Sequence, residues 1–275
     1  MIFAKYHGTG NDFILLDDRA QQFDPADQQR IAALCHRRFG IGADGLMLLR
    51  EAPGYDFEML YFNADGRPGS LCGNGSRCVV AFARHLDLIQ TEARFLAADG
   101  PHHAQIDPDG TVHLQMQNVA PARPAPVFAH LADVYLHTGS PHHVRFLTEA
   151  IHDEHDYDHP PQLEDLDVAA VGHDIRHDQA YDPVGTNVNF AEIPADPTHP
   201  WPLRTFERGV EAETLSCGTG AVAVALAAVA HGATSPVRLQ TLGGELWVSF
   251  DAQPDGSFAN VWLSGPAVRV FQGEL

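Results

Sequence analysis

A four-residue motif that occurs twice constrains the fold of this chain more than any other feature of the sequence. Cys-Gly-Asn-Gly begins at Cys72 and Cys-Gly-Thr-Gly begins at Cys217, and an apolar segment of helical composition follows each copy. The two copies lie 145 residues apart in a chain of 275 residues. They therefore predict two lobes with equivalent turns, although two short matches make a weak repeat by themselves.

Strand-like stretches outnumber helix-like ones along the chain. Early strands are predicted at Phe13–Asp17, Leu46–Arg50 and Phe57–Asn63. Two hairpins are predicted as well, because Ala104–Gln117 contains the turn sequence Asp-Pro-Asp-Gly and Val237–Phe250 contains a Gly-Gly pair. Since hairpins outnumber strand–helix–strand units, the sequence favours a mostly antiparallel α+β fold over a doubly wound sheet.

Three segments carry the signals of a helix. The first runs over about residues 25–39, with Asp24 as its N-cap and with Cys35 and Phe39 on its buried side. The other two follow the two cysteine motifs, and the second of them ends at Gly232.

Two segments between the motifs have unusual compositions. Pro121–Pro126 is rich in proline and lacks hydrophobic periodicity, which is typical of a linker between lobes. From His137 to His177 the chain is acidic and rich in histidine, and it includes HDEHDYDH at His152–His159. That octet could bind a metal ion, but it lacks the ligand spacing of a known site, so a solvated loop is favoured.

Composition excludes several classes of function. The chain has 17 basic and 36 acidic residues, a formal net charge of −19, which argues against binding to nucleic acid or to an anionic membrane. No apolar run approaches the roughly 20 residues of a membrane-spanning helix, and the N-terminus lacks the pattern of a signal peptide. Four cysteines do not make a disulfide scaffold, so we expect a cytoplasmic protein.

A cysteine directly ahead of a helix is suited to acid–base chemistry. The helix dipole and the N–H groups of the first turn stabilise its thiolate, and glycines let a bound group approach the backbone closely. Two such cysteines suggest an acid and a base on opposite faces of one carbon atom, as the inversion of a stereocentre requires. The alternative is that both cysteines pack in small turns and have no chemical role.

Longer motifs favour the first interpretation. The chain contains, in this order, HGTGNDF from His7, FNADG from Phe62, CGNGSRC from Cys72, TGSPHHV from Thr138, TNVNF from Thr186 and ERGVEAETLSCGTG from Glu207. This series closely resembles the diaminopimelate epimerase family, whose members are two-cysteine racemases that work without pyridoxal phosphate. The resemblance extends from Lys5 nearly to the C-terminus.

The resemblance implies both a fold and an activity. The fold would be α+β, with two similar pseudo-symmetric lobes, each a mostly antiparallel sheet around a central helix, and an active site in the cleft between the lobes. Residues 1–118 with the C-terminal strand 264–275 would form one lobe, and residues 119–263 the other. The protein would be a homodimer that interconverts LL- and meso-2,6-diaminopimelate for lysine and peptidoglycan synthesis, with no cofactor and no metal.

The resemblance also assigns roles to residues. Cys72 and Cys217 would be the acid–base thiols, and His142 and Glu207 would adjust their ionisation. The residues that hold the two amino-acid ends of the substrate would be Asn11, Asn63, Gly73, Asn74, Asn187, Glu207, Arg208, Gly218 and Thr219. Amide and guanidinium groups suit ammonium and carboxylate partners, and the N–H groups of a helix N-terminus stabilise charge that develops as an α-proton leaves.

Three features depart from the usual pattern of the family. Ser140 stands where many members have Asn, so the resemblance assigns no contact with the substrate to this position. Gly45 stands where some members carry a polar residue that faces the substrate. The segment from Glu207 to Cys217 is one residue longer than the common form, which predicts a different loop conformation.

Four other functions compete with this one. A proline or hydroxyproline racemase would have His where the first motif has Asn74. A cysteine hydrolase would pair Cys217 with His142, but it leaves one motif unexplained. The stretch from Gly218 fits a loose dinucleotide-binding pattern, but no β-branched strand precedes it and Arg238 occupies the acidic position. A histidine-rich metal-binding protein is the remaining alternative.

Overall fold

The computed structural model describes residues 1–69, 72–128, 132–147 and 162–275. They form two compact units, Met1–Gln115 with Ser264–Leu275 and Met116–Leu263. Each unit combines a largely antiparallel sheet with a buried helix, so the predicted α+β class is confirmed. Helices and strands are labelled below in chain order.

The first unit is built around helix α2. Its described elements are β1 (Ile2–Gly8), β2 (Asn11–Asp17), α1 (Gln28–Cys35), β3 (Gly45–Arg50), β4 (Phe57–Asn63), α2 (Gly73–His85), β5 (Glu92–Ala97), β6 (Gly100–Ile106), β7 (Val112–Gln115) and β17 (Val268–Glu274). The strands pair in the order β17–β1–β2–β3–β4–β5–β6–β7, and the β2–β3 and β4–β5 pairs are parallel.

Strand β2 shows why its sequence is apolar without alternation. Phe13, Ile14, Leu15 and Leu16 are all buried. Ile14 and Leu16 pack with Ile31 of α1. Helix α2 contacts β2 in addition. Because both faces of this strand are covered, every position favours an apolar side chain.

The second unit is built around helix α4. Its described elements are β8 (Arg123–Pro124), β9 (Val134–His137), β10 (Pro141–Leu147), α3 (Val168–Arg176), β11 (Asn187–Glu192), β12 (Trp201–Glu207), β13 (Ala212–Thr214), α4 (Gly218–Ala227), β14 (Val237–Thr241), β15 (Gly244–Ala252) and β16 (Phe258–Gly265). The strands pair in the order β8–β9–β10–β11–β12–β13, in which the β10–β11 pair is parallel. Strand β12 also pairs with β14 in parallel, and β14 pairs with β15 in antiparallel orientation.

Helix α4 is apolar on every side because strands surround it. It contacts β9, β10, β11, β12, β14 and β15. Its alanine and valine side chains are buried throughout, since no face of the helix is left to solvent. The chain continues as a short 3₁₀ turn (Ala228–His231) and ends the helical segment at Gly232, whose φ of 88° needs glycine. The predicted end of this helix is confirmed.

The predicted strands and the hairpin at Asp-Pro-Asp-Gly are confirmed by β2, β3, β4 and the β6–β7 pair. The second hairpin is confirmed as β14–β15, but its turn lies one residue earlier than predicted. Thr241 pairs with Gly244, so Leu242 and Gly243 form the turn instead of the Gly-Gly pair.

The prediction for the first helix was wrong at both ends. Helix α1 covers only Gln28–Cys35, and its N-cap is Asp27, whose carboxylate accepts from the N–H of Arg30. At the other end His36 is extended, and its ring accepts from the N–H groups that follow, so the chain leaves the helix there. Phe39 is therefore 89% exposed and lies outside the core.

Two features between the motifs were not predicted. Helix α3 begins after Asp167, which caps the N–H of Ala170, and buries Val168, Gly172 and Ile175. This helical spacing lies at the end of the acidic stretch that was interpreted as a loop. The Pro121–Pro126 segment is more than a linker, because Arg123–Pro124 pairs with Val134–Tyr135 inside the second unit.

The histidine-rich octet His152–His159 lies outside the described residues. Across the ranges that the structure does describe, no helix is both long enough and apolar enough to cross a membrane. In the same ranges, no cluster of three or more His, Cys, Asp and Glu side chains is arranged to hold a metal ion.

Candidate active site

The two cysteine motifs fold into equivalent turns. Cys72 is the N-cap of α2, with φ −112° and ψ 113°, and Cys217 is the N-cap of α4, with φ −117° and ψ 113°. Each carbonyl accepts the N–H of the residue four positions later, Ser76 at 2.7 Å and Ala221 at 2.8 Å. Each sulfur is therefore attached at the positive end of a buried helix, where negative charge is stabilised.

Cys72 lies beside the side-chain amide of Asn11. Its Sγ is 3.6 Å from Asn11 Oδ1. The amide orientation is fixed, because Asn11 Nδ2 donates at 2.7 Å to Asp44, whose carboxylate only accepts. The group presented to Cys72 is consequently a hydrogen-bond acceptor, which suits the protonated thiol.

A buried cation lies beneath the same turn. Arg77 is fully buried on α2, and its Nη2 donates at 3.0 Å to Asn74 Oδ1. Asn74 in turn points its Nδ2 at Asn11 Oδ1, 3.4 Å away. Burial lowers the pKa of Arg77 to about 10, so the guanidinium stays charged at neutral pH and favours negative charge at Cys72. Arg77 was not singled out from the sequence, although the motif CGNGSRC contains it.

Asn63 lies at the end of β4, directly across from Gly45 on β3. Its side chain is exposed. A Cβ on Gly45 would lie 2.5 Å from the carbonyl oxygen of Phe62 and 2.6 Å from the ring of Tyr61. This chain therefore has no room for a side chain at position 45, which explains its glycine.

In the second unit, Cys217 lies next to a hydroxyl group. Its Sγ is 3.6 Å from Thr219 Oγ1, which is 3.1 Å from Ser140 Oγ. Ser140 Oγ is 2.9 Å from Nε2 of His142. The structure thus brings together His142, Thr219 and Cys217 of the predicted site, and it adds Ser140 as the link between them.

Asn187 is buried beside this group. Its Nδ2 donates to the carbonyl of Pro141 at 2.9 Å, and its Oδ1 accepts the backbone N–H of Arg208 at 2.9 Å. The amide therefore connects β10 with the end of β12. Asn189, two residues further along β11, contacts His142 Nδ1 at 3.1 Å and was not singled out from the sequence.

Strand β12 ends at Glu207, and Arg208 follows it directly. Glu207 accepts a hydrogen bond from Thr214 Oγ1 at 3.0 Å, and Arg208 Nη1 donates to the carbonyl of Val184 at 3.1 Å. Within the described ranges Arg208 forms no ion pair with a carboxylate of the chain. Its charge can therefore serve a carboxylate of a ligand.

A family model described as diaminopimelate epimerase matches residues 3–120 and 134–270. The chain belongs to the diaminopimelate epimerase family. It is 45% identical over 274 residues to the diaminopimelate epimerase of Flavobacterium psychrophilum, with 99% of both sequences covered. It is 40% identical over 273 residues to that of Chlorobaculum tepidum, with 98% of both covered.

Solved structures of other proteins share the fold of this diaminopimelate epimerase family member. A phenazine biosynthesis protein of the PhzF family from Bacillus anthracis has a TM-score of 0.72 at 12% identity and covers 100% of this chain and 98% of its own. A probable proline racemase from Agrobacterium radiobacter has a TM-score of 0.65 at 16% identity, covering 100% and 92%. At such identities the likeness concerns the fold alone, and it confirms the predicted architecture class.

The burial of His142 is expected to make the stability of this family member depend on pH. Burial lowers its pKa from 6.5 to about 3, with a further contribution from the charges of His137 and Arg208. Between these two values the unfolded chain binds a proton that the folded chain does not. Stability should therefore fall as the pH drops from about 6.5 towards 3, by about 1.4 kcal/mol per pH unit from this group.

Urea unfolding of the native protein and of His142→Asn at several pH values in this window measures the effect. The variant should lose free energy of unfolding less steeply with falling pH. Equal slopes for the two proteins would show that His142 does not remain neutral in the folded state.

Proposed function

We propose that this chain is a diaminopimelate epimerase that interconverts LL- and meso-2,6-diaminopimelate without pyridoxal phosphate. The observation that carries the proposal is the pair of cysteine N-caps with matching backbone angles, in a chain whose full-length relatives bear that name. The reaction belongs to the synthesis of lysine and peptidoglycan precursors, and we expect it to take place in the cytoplasm.

In the proposed mechanism one cysteine acts as the base and the other as the acid. The thiolate of one removes the α-proton, and the thiol of the other delivers a proton to the opposite face of the same carbon. The roles exchange in the reverse direction. Both Cys72 and Cys217 are suited to either role, since each lies at the N-terminus of a buried helix.

Charge that develops on the substrate needs stabilisation. As the α-proton leaves, negative charge spreads into the adjacent carboxylate. We assign its stabilisation to the backbone N–H groups of Gly73 and Asn74 at the start of α2 and of Gly218 and Thr219 at the start of α4. These groups are held in place by the helices, so they need no rearrangement during the reaction.

The second amino-acid end of diaminopimelate must be held so that the first is presented to the thiols. We assign this task to Arg208 for a carboxylate and to Glu207 for an ammonium group. Asn11, Asn63 and Asn187 complete the proposed binding set. Asn63 is exposed, whereas the amides of Asn11 and Asn187 already bind neighbouring groups and would contact the substrate from fixed orientations.

The cysteine hydrolase alternative is not supported by the geometry of the second unit. A hydrolase needs its histidine in hydrogen-bond reach of the sulfur. Here Nε2 of His142 bonds to Ser140, and Ser140 and Thr219 stand between the imidazole and Cys217.

Incubation of the reduced protein with LL-diaminopimelate tests the proposed function. Chiral chromatography should show the meso isomer rising to equilibrium with no added cofactor, while L-proline and trans-4-hydroxy-L-proline remain unchanged. A folded, reduced protein that epimerises one of the cyclic amino acids instead would assign it to a different racemase.

We also propose that the protein is a homodimer, and an apolar surface on the first unit supports this. Val268 and Val270 are both exposed and lie two residues apart on strand β17, so they share one face of that strand. Exposed apolar patches of this kind mark protein–protein contacts. Val270→Asp should convert a particle of twice 29.9 kDa into one of 29.9 kDa, as measured by light scattering after gel filtration.

Val184→Asp is the matched control for this experiment. Val184 is 60% exposed and Val270 is 55% exposed, but Val184 lies in the second unit. The control should keep the mass of the native protein. A native protein that is already monomeric, or a Val270→Asp variant that stays dimeric, would contradict the proposed interface.

A further inference from the structure

Side chains in the second unit form a continuous line of hydrogen bonds that ends at Cys217. The line begins at Asn189, whose Nδ2 is 3.1 Å from His142 Nδ1. It continues from His142 Nε2 to Ser140 Oγ at 2.9 Å and from Ser140 Oγ to Thr219 Oγ1 at 3.1 Å. Its last step, from Thr219 Oγ1 to Cys217 Sγ, measures 3.6 Å.

The neighbours of Asn189 fix the direction of the first step. Its Nδ2 also faces the carbonyl oxygen of His143 at 2.9 Å, and a carbonyl only accepts. The amide therefore donates to Nδ1 of His142. Because a neutral imidazole carries one hydrogen, that hydrogen lies on Nε2, and the burial of His142 keeps the ring neutral.

The neighbours of Ser140 fix the remaining steps. Its oxygen accepts from His142 Nε2 and also from Nδ2 of Asn187, at 3.3 Å. The orientation of the Asn187 side-chain amide is fixed, because its Oδ1 accepts the backbone N–H of Arg208. With both lone pairs occupied, Ser140 must point its own hydrogen at Thr219. Thr219 accepts it and directs its hydroxyl hydrogen at the sulfur of Cys217.

We propose that Asn189, Ser140 and Thr219 are positioning residues that hold one hydroxyl donor on the sulfur of Cys217 and thereby favour its thiolate. Hydrogen bonds to a charged group are stronger than those to a neutral one, so a fixed donor stabilises the thiolate more than the thiol. Every hydrogen stays on its own atom, and no proton moves along the line. The catalytic consequence is that a larger fraction of Cys217 is in the thiolate form, which can act as the base. This consequence rests on the proposed function.

Charged groups from the neighbouring strands also face this line. His137 of β9 and Arg208 after β12 act electrostatically on His142, and Glu207 of β12 is hydrogen-bonded to Thr214. The line itself consists of uncharged groups. Its effect on Cys217 is therefore separable from theirs by substitutions that remove a hydroxyl and leave all charges in place.

The rate at which iodoacetamide alkylates Cys217, measured against pH by mass spectrometry of peptides, tests the proposal without any substrate. Thr219→Val removes the hydroxyl at nearly constant volume. We expect alkylation of Cys217 at pH 7 to slow about tenfold, as its profile moves about one pH unit upward, while the profile of Cys72 stays unchanged. Ser140→Ala should shift the Cys217 profile in the same direction by a smaller amount.

Thr138→Val is the control for a loss of local order. Its hydroxyl donates to the carbonyl of Thr219 at 2.8 Å and is not part of the line. A Cys217 profile that does not move in Thr219→Val and Ser140→Ala, or that moves equally in Thr138→Val, overturns the proposal. Because alkylation needs no diaminopimelate, a protein without epimerase activity but with the expected shifts would contradict the proposed function alone.

Discussion

Replacing either Cys72 or Cys217 by serine is expected to abolish epimerisation. Removal of a general acid or base typically costs about 10²–10⁴ in rate, and a serine hydroxyl does not ionise near neutral pH, so we expect a loss of at least about 10³ in kcat. The loss should be similar for both variants, because a two-base inversion fails when either base is missing. Initial rates with LL-diaminopimelate and with the meso isomer measure it.

Cys35→Ala is the matched control for the two serine variants. Cys35 is buried in α1, and burial raises its pKa to about 11, so it carries no charge at neutral pH. This variant should keep its kcat apart from the effect of a small loss of stability. If Cys72→Ser or Cys217→Ser retained a tenth of the native rate, the sulfur at that position could not be one of the two bases.

The largest loss of stability is expected at a buried ion cluster in the second unit. Asp133 accepts from His143 Nε2 at 2.8 Å and from Arg145 Nε at 2.8 Å, and all three side chains are buried. His143 Nδ1 bonds to the hydroxyl of Tyr181 at 2.7 Å. Burial lowers the pKa of His143 in spite of the nearby carboxylate, so the ring is neutral and Arg145 supplies the positive charge.

Asp133→Ala should therefore destabilise the protein by about 3–5 kcal/mol, because it leaves the charge of Arg145 buried without its partner. Urea unfolding followed by circular dichroism gives the free energy. Asp99→Ala is the control, since Asp99 pairs with His102 at the surface and such pairs contribute about 0–1 kcal/mol. Equal, small losses in both variants would show that the cluster does not hold the second unit together.

The sequence was most informative where local chemistry decides the structure. Cysteine and glycine ahead of an apolar run predict a helix N-terminus, and Cys72 and Cys217 are indeed the N-caps of α2 and α4. Strand β4 was predicted with its observed bounds, Phe57–Asn63, because its apolar pattern is bordered by turn residues. The end of α1 was missed, because the conformation of His36 depends on contacts that periodicity does not describe.

The groups around the two sulfurs depend on tertiary pairing, which the sequence does not display. Asn189 reaches His142 because β10 and β11 run parallel in a register that places His142 beside Asn187. Asn11 reaches Cys72 across 61 residues of chain. The motif resemblance placed several of these residues in the site, but it did not indicate which atom donates to which.

Proton NMR of LL-diaminopimelate in D₂O, with reduced enzyme and no cofactor, tests the central claim most directly. If Cys72 and Cys217 act as opposite bases, early samples should contain meso product that carries deuterium at the inverted α-carbon, while the remaining LL substrate keeps its proton. The Cys72→Ala and Cys217→Ala variants should form no meso isomer. Deuterium appearing equally in substrate and product, or inversion that survives in either variant, would contradict the two-thiol account.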